Sequence, residues 1–176
     1  MSLEQKIAGM FIVTPEALTG VERAVKAGEG TRTALSEHAV AGFIYDSKNI
    51  QSADQFKEMI SGTQAMYNEL YGANMLIVLQ DEGAVNTLAG SSAGVQKVDA
   101  ASEIGTTGDS GNAYQAYISI GNYMKDYGAN MNLAPAADVM VDANSYIGNR
   151  SFSDDADIAS SMIGQAVNAQ REMGII

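Results

Sequence analysis

The sequence predicts an α/β protein with a parallel sheet, organised as part of a (β/α)8 TIM barrel with about four βα units. Apolar runs too short for helices recur four times along the 176 residues, and segments with helical spacing of apolar residues separate them. Strands that alternate with helices form a parallel sheet through right-handed crossovers. The predicted order is one helix followed by four strand–helix units, within a single domain over residues 1–176.

The four predicted strands are rich in β-branched and aromatic residues, which is typical of buried strands. They are "MFIV" at 10–13, "GFIY" at 42–45, "MLIVL" at 75–79 and "NMNLAP" at 130–135.

Capping residues mark the helices between and after these strands. Ser52 and Gln55 have the spacing of a capping box at the start of an apolar stripe. Asp109 precedes a second stripe, and Gly128 follows it at the position of a C′ glycine. A third stripe over 158–173 has three acids at its start, which favour the helix dipole.

Two connections are harder to interpret. Between the first two strands, Val21, Ala24 and Val25 fit a helix that "AGEG" would end. Residues 83–108 form the longest irregular stretch, rich in Gly, Ser and Ala, which predicts a functional loop or a poorly ordered one.

Two architectures fit this order of elements. One is an open doubly wound sheet, and the other is part of a TIM barrel. A full barrel needs about 250 residues and eight units, so the chain supplies roughly half. Its last residues, "GII", stand where the pattern predicts another strand.

Composition excludes several classes of function. The net charge of −11 argues against nucleic-acid and anionic-membrane partners, which require clustered Lys and Arg. No cysteine is present, so disulfides, thiolate nucleophiles and Cys-based zinc sites are excluded. His38 is the only histidine, which excludes a His-pair zinc site, and we expect it to be structural or exposed. No dinucleotide or phosphate-loop motif occurs, so no cofactor and no metal are expected. The start "MSLEQKIAGMF" lacks the pattern of a signal peptide, and the compartment stays open.

Functional residues are expected where the parallel strands reach their carboxyl ends. After the third strand come Asp81 and Glu82, which point to opposite sides if the chain is extended. One of them is then expected to orient the loop backbone or to pair with a base. After the fourth strand comes Arg150, whose fixed N–H donors suit sugar hydroxyls or a carboxylate. The alternative for Arg150 is a salt bridge with Asp138 or Asp142, and Asp138 itself could face the pocket or anchor its loop.

Five segments occur in the order typical of one enzyme family: "LEQKIAGMFIV", "GFIYDSKNI", "DEGAV", "MNLAPAADV" and "IGNRSFSDD". They resemble glycoside hydrolase family 3, in particular the N-terminal barrel of bacterial β-N-acetylhexosaminidases of the NagZ type. The resemblance covers essentially the whole chain, and "NLAPAADV…IGNRSF" is its most specific part. It implies hydrolysis of terminal β-linked N-acetylglucosamine or related glycosides by the complete protein.

The resemblance also implies a set of sugar-binding residues: Arg150, Gln80, Asp81 and Asp138. Arg150 matches the family arginine that contacts the sugar. The family pattern D-x-E-G-G-x-V-x-R is altered here, since "QDEGAVNTL" places Gln80 at the Asp position and Thr87 at the Arg position. Asp81 could substitute for the missing Asp if the loop shifts. Weaker sugar binding is expected, because an amide accepts hydrogen bonds less strongly than a carboxylate.

By the same resemblance, no catalytic residue can be assigned in this chain. The family's K-H-F-P-G-H-G segment, its catalytic His–Asp pair and its nucleophilic aspartate would follow Ile176. Hydrolysis by these residues alone is not expected. An alternative is a non-catalytic half-barrel that dimerises to rebuild an eight-stranded ring, with a structural or weak sugar-binding role. A flavodoxin-like sheet that binds a phosphate compound is a third alternative, which lacks a phosphate loop.

Overall fold

A computed structural model describes residues 2–83, 88, 91–142 and 146–176. The strands it contains pair in parallel within one sheet, which confirms the predicted α/β class. In chain order they are Ile12–Val13 (β1), Gly42–Ile44 (β2), Leu76–Leu79 (β3) and Met131–Asn132 (β4).

The order of strands across the sheet is β1-β2-β3-β4, so each strand lies beside its predecessor in the chain. A doubly wound sheet contains a point where this order reverses. A barrel instead adds its strands in sequence, and right-handed crossovers then place the helices on one face. The observed order therefore favours the barrel-like arrangement over the open doubly wound sheet.

The helices lie at Leu3–Ala8 (α1), Pro15–Thr19 (α2), Glu29–Glu37 (α3), Ala53–Tyr71 (α4), Ala101–Gly105 (α5), Ser110–Asp126 (α6) and Ala156–Glu172 (α7). Short 3₁₀ turns occupy Ser47–Asn49 and Gly148–Arg150. The three long helices α4, α6 and α7 coincide with the three predicted apolar stripes. Gly128, with φ of +80°, takes the left-handed conformation expected of the glycine after α6.

The helix suggested around residues 21–25 is wrong. A short helix ends before it, because Gly20 with φ of +72° closes α2, and α3 begins only after Gly28. The segment between them is held by Glu16, whose Oε1 accepts a hydrogen bond from the Ala24 amide at 2.9 Å. A bond to this distant side chain replaces the local bonds of a helix.

The capping box at α4 is only half formed. The Ser52 hydroxyl accepts a hydrogen bond from the Gln55 amide at 3.2 Å, as predicted. The Gln55 Oε1 atom, however, accepts from the Gln51 amide at 2.8 Å rather than from Ser52. Its NH2 group donates to the Val25 carbonyl at 2.6 Å. Gln55 therefore ties α4 to the segment that precedes α3.

The two faces of the sheet differ in what covers them. Phe43 and Ile77 are paired across β2 and β3 and are fully buried. Tyr45, two residues after Phe43 and thus on the same face, packs its ring edge-on against Phe56 of α4. This face meets the helices. On the other face Val78 of β3 is also fully buried, whereas Leu133, directly after β4, is 46% exposed.

The chain's final residue lies beside β4. The Ile176 amide donates to the Asn130 carbonyl at 3.0 Å, and the Ile176 carbonyl accepts from the Asn132 amide at 2.9 Å. One residue that bonds to positions either side of Met131 is the pattern of a parallel ladder. This geometry agrees with the strand predicted at "GII".

Candidate functional site

Polar side chains gather at the carboxyl end of the sheet, in the loops that follow β3 and β4. We call this region the sheet mouth and define it by Gln80, Glu82, Asp138 and Arg150. Parallel strands carry their carboxyl ends to one edge, which brings residues distant in the chain together there.

A bidentate ion pair joins the two loops. Arg150 Nε donates to Glu82 Oε2 at 2.8 Å, and Arg150 Nη2 donates to Glu82 Oε1 at 2.7 Å. The Glu82 side chain is 6% exposed and that of Arg150 is 28% exposed. The sequence suggested Asp138 or Asp142 as the alternative ion-pair partner, whereas the ion pair observed for Arg150 is with Glu82.

The same pair sets the electrostatics of Arg150. Its hydrogen bond with Glu82 raises the pKa of the guanidinium above its ordinary value, partial burial opposes this, and the charge of Asp138 adds a smaller upward contribution. Asp138 thus lies within electrostatic range of Arg150. It is exposed, and its carbonyl accepts a hydrogen bond from the Ser151 hydroxyl at 2.8 Å.

Asp81 lies away from the mouth. Its carboxylate is fully buried and accepts hydrogen bonds from the Gly83 amide at 3.2 Å, from the Leu88 amide at 2.8 Å and from the Tyr123 hydroxyl on α6. Asp81 lies two residues after Leu79, on the face that meets the helices. Its contacts are those expected of a residue that orients the loop backbone, and they do not place it where Gln80 stands.

Gln80 lies on the mouth side by the same alternation. Its NH2 group is 3.5 Å from Glu82 Oε1, and its side chain is partly buried. An amide therefore stands beside the ion pair. Thr87, the other position that departs from the family pattern, lies outside the described residues.

A buried tyrosine lies within electrostatic range of Asp81 and Glu82. Tyr117 of α6 is 2% exposed. Burial raises the pKa of its hydroxyl far above the ordinary value, and the charges of Glu82 and Asp81 add to this shift. Burial and the two negative charges therefore keep Tyr117 in its neutral form.

His38 lies elsewhere. It is exposed, and it caps the end of α3 shortly before β2 begins, which places it toward the amino ends of the strands. Within the described ranges, no group of three or more His, Cys, Asp or Glu residues could hold a metal ion. None of the helices that the structure describes is both long and apolar enough to cross a membrane.

Three features of the site escaped sequence reasoning: the partner of Arg150, the Tyr123 bond to Asp81, and the role of Asn132. Asn132 Oδ1 accepts from the Asp81 amide at 2.9 Å, while its Nδ2 donates to the Asp81 carbonyl at 3.0 Å. The position of Asn132 at the end of a buried strand was the sequence signal that could have indicated this role. Such an amide must be hydrogen-bonded when buried.

Comparison with solved structures finds close fold similarity. A family 3 β-N-acetylglucosaminidase from Paenibacillus sp. str. FPU-7 matches 99% of this chain and 32% of its own, with 26% identity and a TM-score of 0.87. A β-N-acetylhexosaminidase from Beutenbergia cavernae DSM 12333 matches 99% of this chain and 52% of its own, with 23% identity and a TM-score of 0.81. NagZ from Neisseria gonorrhoeae, in complex with N-trifluoroacetyl-D-glucosamine, matches 94% of this chain and 48% of its own, with 19% identity and a TM-score of 0.76.

The chain thus spans about a third to a half of the length of these structures. No curated protein matches it. Among protein families, residues 2–176 match the glycosyl hydrolase family 3 N terminal domain. The four parallel strands that the structure describes correspond, with their helices, to the barrel-like N-terminal domain of the family 3 structures, and the chain belongs to this family.

Proposed function

We propose that residues 1–176 form one domain that supplies part of the sugar-binding barrel of a family 3 glycoside hydrolase. The substrate class is a terminal β-linked N-acetylglucosaminide or a related glycoside, which the complete protein would hydrolyse. Arg150, Gln80 and Asp138 would contact the sugar. The family match and the two N-acetylglucosaminide-directed relatives support this assignment.

The observation that carries the proposal is the orientation of Arg150. Among the described residues, Glu82 engages two of the five N–H groups of the guanidinium, and no described group accepts from the other three. With 28% of its side chain exposed, Arg150 can present these donors to a ligand. Because Glu82 fixes the plane of the guanidinium, little side-chain entropy is lost when a sugar hydroxyl binds.

Gln80 would modify the strength of this site. A carboxylate at its position would accept strongly from two hydroxyls, whereas the amide accepts more weakly and can also donate. We therefore expect weak, millimolar binding of the free monosaccharide.

Catalysis is not proposed for the residues of this chain. Retaining glycosidases place a nucleophilic carboxylate and a proton donor about 5–5.5 Å apart across the bond. Asp81 is buried against Tyr123, Glu82 is paired with Arg150, and His38 lies toward the other end of the strands. Binding without turnover is the function we assign to this set of residues.

The test is a titration of the chain with N-acetylglucosamine, followed by amide NMR shifts. Arg150→Lys should weaken binding by at least about tenfold, since an ammonium cannot reproduce the planar fork. Arg32→Lys is the matched control, because Arg32 also pairs with a glutamate at 2.7 Å but on the exposed surface. Release of nitrophenol from 4-nitrophenyl N-acetyl-β-glucosaminide should stay at background. Equal affinity in the wild type and in Arg150→Lys would contradict the proposal.

A second candidate function is a half-barrel that pairs with a second copy of itself. Exposed apolar side chains favour this pairing. Phe11 is 55% exposed, Ile12 beside it is 36% exposed, and Leu133 is 46% exposed. Two copies related by a two-fold axis could cover these side chains and join β1 of one to the β4 side of the other. Light scattering would decide. A mass twice 18.5 kDa supports pairing, and a stable, folded monomer contradicts it.

A further inference from the structure

Asp81 occupies a position that the sugar-binding assignment does not use. It is ionisable and yet fully buried, and it lies between two residues of the sheet mouth, Gln80 and Glu82. Burial of a carboxylate is costly unless strong donors compensate. A residue that carries this cost between two residues of the mouth requires an explanation.

The carboxylate binds two backbone amides of the connection between β3 and α5. Asp81 Oδ1 accepts from the Gly83 amide at 3.2 Å, and Oδ2 accepts from the Leu88 amide at 2.8 Å. Oδ1 also accepts from the Tyr123 hydroxyl, which joins the loop to α6. One side chain therefore holds the backbone at Gly83 and Leu88 and attaches it to the helix layer.

The backbone of Asp81 is held as firmly as its side chain. The Asn132 amide group bonds head to tail with the Asp81 amide and carbonyl, at 2.9 and 3.0 Å. On the other side, Gly83 has φ of +95°, and a Cβ there would lie 1.9 Å from Val98 Cγ2. The single residue between these fixed points is Glu82.

We propose that Asp81 is a positioning residue that orients Glu82 and, through Glu82, the guanidinium of Arg150. Asp81 and Gly83 determine the direction in which Glu82 leaves the backbone. Glu82 then determines the plane of Arg150 through its bidentate bonds at 2.7 and 2.8 Å. This inference rests on the proposed function for its significance, but its geometry can be measured without any sugar.

The direct readout is the Nε–H signal of Arg150 in a ¹H–¹⁵N NMR spectrum, assigned by its loss in Arg150→Lys. In the wild type this proton should exchange slowly, because it is bonded to Glu82. In Asp81→Asn, an NH2 group replaces one acceptor oxygen and faces an amide donor of Gly83 or Leu88, so the backbone around Glu82 should shift. Exchange of the Arg150 proton should then become at least about tenfold faster, the change that loss of one hydrogen bond of ordinary strength implies.

Tyr123→Phe is the comparison that isolates the loop. It removes the bond to α6 but leaves the Gly83 and Leu88 bonds, so we expect a smaller effect on the Arg150 proton than in Asp81→Asn. An Asp81→Asn variant that is folded by circular dichroism and leaves the Arg150 signal unchanged overturns the proposal. If Asp81→Asn does not fold, exchange of the Gly83 and Leu88 amides in the wild type decides: slow exchange of both supports it, and fast exchange overturns it.

The two proposals fail differently. A slow Arg150 proton that depends on Asp81, in a chain that binds no N-acetylglucosamine, refutes the proposed function and leaves the positioning role intact. Sugar binding in a chain whose Arg150 proton is unaffected by Asp81→Asn refutes the positioning role and leaves the proposed function intact.

Discussion

Glu82→Gln is the substitution that most directly tests the link between the two loops of the mouth. It preserves the size of the side chain and one acceptor oxygen. It removes the negative charge and turns the second acceptor into an NH2 donor that faces an N–H of Arg150. One charge-assisted hydrogen bond of the bidentate pair is therefore lost and the other is weakened.

The magnitude follows from burial. A hydrogen bond to a charged group contributes about 1.5–3 kcal/mol, and breaking a fully buried ion pair costs about 3–5 kcal/mol. Glu82 is nearly buried at 6% exposure, but Arg150 at 28% can recover some hydration. We expect the free energy of unfolding to fall by about 2 kcal/mol, which lies in the range for a charged hydrogen bond rather than in that for a fully buried ion pair. For a chain of this size that corresponds to a drop in Tm of about 4–8 °C.

Urea unfolding followed by circular dichroism measures this change. The matched control is Glu69→Gln, because Glu69 pairs with Arg32 at the same 2.7 Å but the two side chains are 62% and 36% exposed. Such surface pairs contribute about 0–1 kcal/mol, so the control should change by less than about 0.5 kcal/mol. A double-mutant cycle with Arg150→Gln should give a coupling above about 1 kcal/mol. Equal effects of Glu82→Gln and Glu69→Gln would refute the conclusion that burial makes this pair strong.

Three other outcomes follow from the structure. Gly105→Ala would place a Cβ 1.6 Å from the Phe152 carbonyl oxygen, so it should destabilise the fold by about 1–3 kcal/mol in urea unfolding, and a wild-type midpoint would contradict this close approach. Burial alone would raise the pKa of Glu16, but hydrogen bonds led by the Ala24 amide lower it below its ordinary 4.5. The stabilisation that ionised Glu16 provides is therefore present above about pH 4.5 and is lost as the pH falls through the lowered pKa. Glu16→Gln should flatten the decline in stability over this acidic range. Burial raises the pKa of Tyr45 above its ordinary 10, so its contribution is present below about pH 10 and lost above it. Tyr45→Phe should reduce the alkaline loss of stability, and an unchanged profile would contradict the assignment.

The fold could be predicted largely because its elements depend on local patterns. The apolar runs around residues 12, 43, 77 and 131 became strands, and alternating elements gave a parallel sheet. The wrong helix prediction around residues 21–25 had a non-local cause. The spacing of apolar residues there favoured a helix. The Ala24 amide instead donates to Glu16 Oε1, eight residues earlier, and the apolar pattern does not predict that bond.

The site could be predicted in part for the same reason. Alternation along an extended chain correctly separated Asp81 from Glu82, because that property is local. The choice of Glu82 as the partner of Arg150 spans 68 residues and depends on how β3 and β4 lie side by side. Asp138 and Asp142 are nearer in sequence to Arg150, but proximity in sequence does not determine which carboxylate the guanidinium reaches.

The alternation at 80–82 has a practical consequence for engineering. Within this tripeptide Asp81 faces the helices and holds the loop backbone, whereas Gln80 and Glu82 face the mouth. Under the proposed function, libraries that vary Gln80 should therefore change the preference for sugars while Asp81 keeps the shape of the loop. Insertion or deletion of one residue in this tripeptide would reverse which side chains face the helices and which face the mouth. Screening should therefore favour substitutions over changes of length.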